Sequence, residues 1–358
     1  MKCLAPWKAI AVRFNGDVTP DCVYTGRNGN LNEDHLPSIM QHPGLLSTQL
    51  SIKKGVLPPD CNQCSSKENI NGHSRRIFFD QVLHDTPRTY ANDIRFLEVN
   101  ISNICNLKCV MCSGVNSTAW VKEDIKLSEL GFDRPINHPD FGYRIVKPNI
   151  IDKLFEYPSY FKNLQYVNIK GGEPYMEPDN IKLLQKLIDL NLNKQITLDI
   201  STNGTVPNKE FEELALQFKT KWHISIEAVG KLYDYIRGGK QYSFEQFTDN
   251  VHHFRKFDRV IFAGTVMTYN VCHTKNVYDW FDKIKLDNYE IYFNNVVTTP
   301  EYLNPTLLSS EILHGTEYKH DTNMICHVDT FVNYTRALDE LRGTDILTVC
   351  PELSPYFS

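Results

Sequence analysis

The sequence predicts an α/β protein: a partial barrel of six strand–helix units preceded by a small N-terminal domain. Three observations lead there. From residue 94 onward, strand-like runs (94–102, 166–172, 196–203, 221–229, 259–268 and 288–297) alternate with helix-like ones such as 180–192 and 209–218. Within the strands, polar and apolar residues alternate. The chemically unusual residues cluster just after strand ends, where parallel α/β architectures place their sites. Together these give a partial (β/α)6 TIM-like barrel.

Composition sets the outer limits. The chain has 358 residues, 41% hydrophobic and 23% charged, with a net charge of −5 and no block of like charge. That is ordinary globular composition, and a nucleic-acid partner is not indicated. No run is long enough to span a membrane, and the first residues lack the apolar core of a signal peptide. A cytoplasmic location without membrane contact is expected. Ten cysteines are many for a reducing compartment, where clustered thiols serve metals or catalysis more often than disulfides. Three scattered ones, Cys272, Cys326 and Cys350, read as small buried apolar residues.

The expected domains are 1–75, 76–300 and 301–358. In the first, residues 10–24 form a hairpin with its turn at Asn15, Gly16 and Asp17. Cys3 and Cys22 stand at its strand ends, and the Cys61-x2-Cys64 pair completes a four-thiol set. Taken alone, the set fits zinc or an iron–sulfur cluster equally well.

The barrel follows. In its first strand Glu98, Asn100 and Ser102 share one face, and Leu97, Val99 and Ile101 the other. Asn168 and Lys170, then Asp199, Ser201 and Asn203, then His223, Ser225 and Glu227 continue the polar face. The apolar face must meet the helices, so the polar face lines an interior that holds something polar. A half-solvated antiparallel sheet alternates in the same way, but the intervening helices argue against it. Glu98 and Lys170 are expected to face the interior on adjacent strands, close enough to pair or to bracket a polar substrate, since an unpaired interior charge is costly. After the first strand, Cys105, Cys109 and Cys112 form C-x3-C-x2-C; after the second comes Gly171-Gly172-Glu173-Pro174. Ser201 and Asn203 end the third strand and Glu227 the fourth. A closed structural metal site takes four ligands, so three thiols leave one position for an outside ligand. Each single residue also has a plainer role: Glu173, Ser201 and Asn203 as helix caps, Glu227 as a partner of His223. Residues 127–148 read as an insertion at a substrate mouth, and 301–358 as an extension over the open side of the barrel, with a helix near 330–342.

The CNLKCVMC loop after the first barrel strand, followed by GGEP after the second, resembles the radical S-adenosylmethionine enzymes. Met111 departs from the aromatic residue common before the third cysteine. The resemblance implies that Cys105, Cys109 and Cys112 hold a [4Fe–4S] cluster whose open iron chelates S-adenosylmethionine. Gly171, Gly172 and Glu173 would lie along its amino group, and Ser201, Asn203 and Glu227 would hold its methionyl and ribose parts. Arg237 would meet the cofactor carboxylate, or else be an exposed residue at a helix end. The implied product is a 5'-deoxyadenosyl radical that takes hydrogen from a substrate, with an electron donor such as flavodoxin or ferredoxin.

The N-terminal pattern, Cys3 before Pro6-Trp7, then Cys22, then Cys61-x2-Cys64, resembles the SPASM auxiliary-cluster module or its shorter twitch form. In most relatives that module follows the barrel; here it precedes it. Four cysteines imply one auxiliary [4Fe–4S] cluster, closed to S-adenosylmethionine and able to accept an electron. Auxiliary-cluster relatives often oxidise or cross-link a peptide or protein side chain, and this is the expected chemistry. The alternatives are oxidation or rearrangement of a small molecule, sugar or nucleotide, and a non-catalytic metal-binding scaffold.

Overall fold

A computed structural model describes residues 3–71, 74–83, 93–138, 141–142, 149–238, 242–286 and 289–358. Part of the expected 127–148 insertion lies outside them. The described chain falls into two compact units: Met1–Asn103, Arg144–Ile200 and Asn208–Thr220 in one, Ile104–Tyr143, Ser201–Pro207 and Lys221–Ser358 in the other.

In the first unit, β1 (Ala9–Arg13) and β2 (Val18–Thr19) form the expected antiparallel hairpin, with Gly16 at φ 91° in its turn. Two parallel partners follow, β3 (Phe96–Asn100) and β4 (Tyr166–Lys170), and β5 (Thr197–Thr202) pairs with β4. The finding beyond expectation is that β1 also lies parallel to β3, from Ala9 beside Phe96 to Arg13 beside Asn100. The N-terminal segment therefore adds a strand to the edge of the barrel sheet. The reason is visible in its sequence. Ala9–Val12 is apolar at every position and buried throughout, as a strand covered on both faces must be. Leu4, Ala5, Ala9, Phe79, Leu83 and Phe96 make one apolar cluster that welds the segment to β3. Each such large side chain contributes about 1.5–3 kcal/mol when fully buried.

The β3–β5 alternation holds. Leu97, Val99, Val167, Ile169, Leu198 and Ile200 are buried, and Glu98 and Lys170 pair at 2.9 Å on the other face. The Pro178–Asp189 helix after β4 buries Leu183, Leu184 and Leu187.

The second unit carries β6 (Lys219–Ser225), which begins in the first, then β7 (Val260–Val266) and β8 (Tyr289–Val296), paired in parallel in that order. β3 to β8 correspond to the six strands that the sequence predicts, and β1 and β2 are additional. The Phe244–His253 helix starts with a Ser243–Gln246 capping box, and its Phe247 and Val251 are buried. The expected C-terminal helix is Val328–Arg342. Among the described residues, no helix is long and apolar enough to cross a membrane.

Candidate metal centres

The three-cysteine loop lies wholly in the second unit. A turn from the Cys112 N–H to the Cys109 carbonyl (2.8 Å) brings the later thiols together. Val110 N–H reaches the Ile236 carbonyl at 2.8 Å, fastening the loop to the end of the Gly230–Arg237 helix. That helix aims Arg237 at the thiols: its Nη1 lies 3.3 Å from Cys109 Sγ, and its Nη2 lies 2.6 Å from Glu227 Oε2. Arg237 is buried, which corrects the alternative of an exposed helix-end residue. Glu227 pairs with Arg237, not with His223, whose ring meets the Tyr292 hydroxyl at 3.1 Å. With Nη1 at Cys109 and Nη2 at Glu227, the buried Arg237 Nε keeps unused donor capacity.

Asn203 turns toward the loop, its Nδ2 3.7 Å from Cys105 Sγ and 3.0 Å from Asn106 Oδ1, while its Oδ1 accepts from the Thr205 N–H at 2.9 Å. It thus acts both as a turn-former and as a brace for the first thiol. Ser201 is half-buried at the end of β5. Burial pushes the Cys109 and Cys112 thiols up, and at Cys112 the neighbouring Cys109 and Cys105 push further. Three mutually repelling sulfurs on one short loop are a donor set that a cationic centre relieves, so the residues fit an iron–sulfur group.

Several supporting residues carried no sequence signal. Trp120 Nε1 donates to the Cys109 carbonyl at 2.8 Å, and Arg134 Nη2 to the Cys112 carbonyl at 2.9 Å. Arg342, from the C-terminal helix, donates to the Lys108 carbonyl at 2.7 Å, pairs with Glu123 at 2.9 Å and stacks over Trp120. Arg342 lies far from the cysteines in sequence, and Arg134 resembles an ordinary surface residue.

The glycine turn belongs to the first unit. Gly171 has φ 143°, and a Cβ there would sit 2.6 Å from the Ser102 carbonyl oxygen; Gly172 N–H donates to that oxygen at 2.8 Å. Only glycine lets the β4 end lie this close to the β3 end. Glu173 is buried and caps the next turn by accepting from Tyr175 N–H at 3.2 Å.

The N-terminal thiols lie in the same unit. Cys3 and Cys22 are pushed up to about 12 and Cys61 to about 11, first by burial; at Cys3 and Cys61 the Cys64 sulfur adds to it. Cys64 is raised by burial as well. Four half-buried thiols sharing one electrostatic neighbourhood again fit a metal–sulfur group. Beside Cys22 runs a charge network. Arg75 donates to Asp21 at 2.8 Å and to Glu98 at 2.9 Å, and Lys170 Nζ lies 3.9 Å from Cys22 Sγ. Burial works against the Glu98 charge, but Lys170 and Arg75 outweigh it and hold its carboxyl below the usual range. The Glu98–Lys170 pair thus lies beside the N-terminal site.

Comparison with known proteins agrees with this layout. The family model described as the radical SAM superfamily matches residues 99–281, just over half of the chain, and that of the SPASM iron–sulfur cluster-binding domain matches 3–65. No curated protein matches. Similar solved structures include native anSMEcpe with bound AdoMet (16% identity, 70% of this chain and 62% of that one, TM-score 0.42). Another is Streptococcus suis SuiB bound to precursor peptide SuiA (15% identity, 88% of this chain and 65% of that one, TM-score 0.41). The chain thus spans less than two thirds of either.

Proposed function

The chain is a member of the radical SAM superfamily, and from that premise we propose that it abstracts hydrogen from a peptide or protein side chain and leaves it oxidised or cross-linked. The observation that carries this reading is the presence in one chain of a three-thiol loop and a separate four-thiol module. Its cofactors are those of the family: a [4Fe–4S] cluster, S-adenosylmethionine and an auxiliary iron–sulfur group. Bound, cluster and S-adenosylmethionine together supply a 5'-deoxyadenosyl radical.

The chain's own residues orient and insulate. Cys105, Cys109 and Cys112 hold the cluster and leave one ligand position open. Arg237 balances thiolate charge at Cys109, and its spare Nε donor suits the cofactor carboxylate. Asn203 fixes Cys105, while Ser201 and Glu227 offer oxygens to the methionyl and ribose parts. Gly171 and Gly172 expose backbone for close approach, and the Glu173 carboxylate accepts from the cofactor ammonium. Cys3, Cys22, Cys61 and Cys64 fill every position of the auxiliary site, and Lys170 places a positive charge beside it. An electron donor of the flavodoxin or ferredoxin class completes the system.

The test is anaerobic reconstitution with iron and sulfide, followed by S-adenosylmethionine cleavage in the presence of candidate peptides. Formation of 5'-deoxyadenosine together with a peptide of altered mass is expected. Turnover of a sugar or nucleotide with every peptide left unchanged would overturn the peptide assignment.

A further inference from the structure

Cys350 is fully buried, as a bland apolar cysteine would be, yet it does not stand among apolar groups alone. Its Sγ lies 3.7 Å from His273 Nε2, and that same nitrogen lies 2.5 Å from Glu352 Oε1. The three donor atoms all fall within 4.8 Å of one another. They come from the two ends of the second unit's late chain: His273 precedes the Thr274–Ile284 helix, and Cys350 and Glu352 sit in the C-terminal segment.

The geometry separates two uses of such a trio. In a nucleophile–base–orienter relay, thiol and carboxylate must engage opposite ring nitrogens, so that the carboxylate holds one while the other takes the thiol proton. Here both face Nε2, which converges the donors on one point. The other nitrogen has a separate neighbour: Asn276 Nδ2 lies 3.3 Å from His273 Nδ1, and turning that amide over to present Oδ1 gives Nδ1–H the acceptor that ligation through Nε2 requires. Spacing agrees as well. Bonds of ~2.3 Å to sulfur and ~2.0–2.1 Å to nitrogen at a tetrahedral angle set those donors roughly 3.5 Å apart. The observed separation of 3.7 Å needs almost no change, whereas the Glu352–His273 hydrogen bond must open by under about 1 Å.

We propose that His273 Nε2, Cys350 Sγ and the Glu352 carboxylate form a zinc site that ties the C-terminal segment to the start of the Thr274–Ile284 helix. Mixed sulfur, imidazole and carboxylate ligation suits a borderline-soft divalent ion better than calcium or magnesium, which take oxygen only. Cys272 is close by, but its thiol donates to the Ile312 carbonyl at 3.3 Å and is turned away. On binding, the Cys350 thiol gives up the proton it now donates to the Tyr269 carbonyl at 3.2 Å, so uptake of the metal releases protons.

The experiment uses the full chain reconstituted anaerobically with its iron–sulfur groups. Zinc is added, weakly held metal is removed with a mild chelator, and zinc and iron are counted by mass spectrometry. The wild type is expected to retain about one zinc per chain beyond its iron, as a single three-residue site requires. His273→Ala and Cys350→Ser should each lose it with iron content and circular dichroism unchanged. Asn276→Ala should bind zinc roughly 10–100-fold more weakly. Should Cys350→Ser fail to fold, the half-buried His273 decides alone. A wild type that retains no zinc, or a His273→Ala variant that retains as much as wild type, overturns the site. Iron content and S-adenosylmethionine cleavage, read on the same samples, report on the superfamily chemistry independently.

Discussion

Arg237 is the residue on which the cluster loop turns, because it meets a thiol and a carboxylate that would repel each other without it. Arg237→Gln leaves Glu227 buried and unpaired, and should cost about 3–5 kcal/mol in chemical denaturation. The double variant Arg237→Met with Glu227→Gln should recover much of that stability while S-adenosylmethionine cleavage stays lost. Recovery of cleavage in the double variant would show that the guanidinium is structural only. A second buried pair makes a pH prediction. Lys8 is fully buried and meets Asp93 at 3.0 Å. Burial raises the Asp93 pKa, but Asn163, Lys8 and Arg95 outweigh it and hold the carboxyl below its usual 3.8. A lowered folded pKa means the stabilisation is complete above that ordinary value and lost as pH falls through the folded one. Asp93→Asn should therefore reduce stability by roughly 3–5 kcal/mol at neutral pH. The gap to wild type should close only in acid below about 3.8, followed by urea midpoints against pH. A gap that closes on raising the pH would refute the pairing.

At the scale of elements, the close seating of the β4 end on the β3 end is set by one glycine. Gly171→Ala must place a Cβ against the Ser102 carbonyl oxygen in a backbone conformation that alanine rarely adopts. The strain is about 1–3 kcal/mol. We expect a lowered melting temperature together with weaker S-adenosylmethionine binding, since the backbone at 171–172 must shift to relieve the clash. Unchanged affinity in a destabilised variant would remove this turn from the cofactor site. The hairpin of β1 and β2 shows the complementary case. Its turn is local, but the parallel pairing of β1 with β3 joins residues more than eighty positions apart and rests on the apolar cluster around Phe79 and Phe96.

For the whole molecule, the two thiol sets make separable demands. Replacing Cys105, Cys109 and Cys112 together by Ala should remove about half of the iron of a chain carrying two four-iron clusters, and all cofactor cleavage. Full cleavage by that variant would refute the assignment of the loop. Replacing Cys61 and Cys64 by Ala should leave cleavage measurable with an artificial reductant while product formation collapses. Because a metal site also supplies folding energy, circular dichroism and iron content accompany the activity. A well-folded variant that lacks the auxiliary iron and still forms full product would remove the electron-accepting role.

The six barrel strands, the hairpin turn, the thiol loop and the glycine turn were all legible in the order of residues, because each is a local matter of spacing, alternation or turn chemistry. The polar pairing of Glu98 with Lys170 was legible for a similar reason: strand periodicity puts both on one face. What the tertiary structure decided are the partners that arrive from far along the chain. Arg237 reaches Cys109 across 128 positions, and Arg342 reaches Lys108 across 234. Arg75 joins Asp21 to Glu98. An arginine in a helical run reads as solvated, and only the packing of its helix determines whether it is buried. The same holds for Cys350, whose meeting with His273 depends on how the C-terminal segment folds back. Local chemistry is written in neighbouring residues, whereas burial and charge pairing depend on which distant surfaces the core brings together.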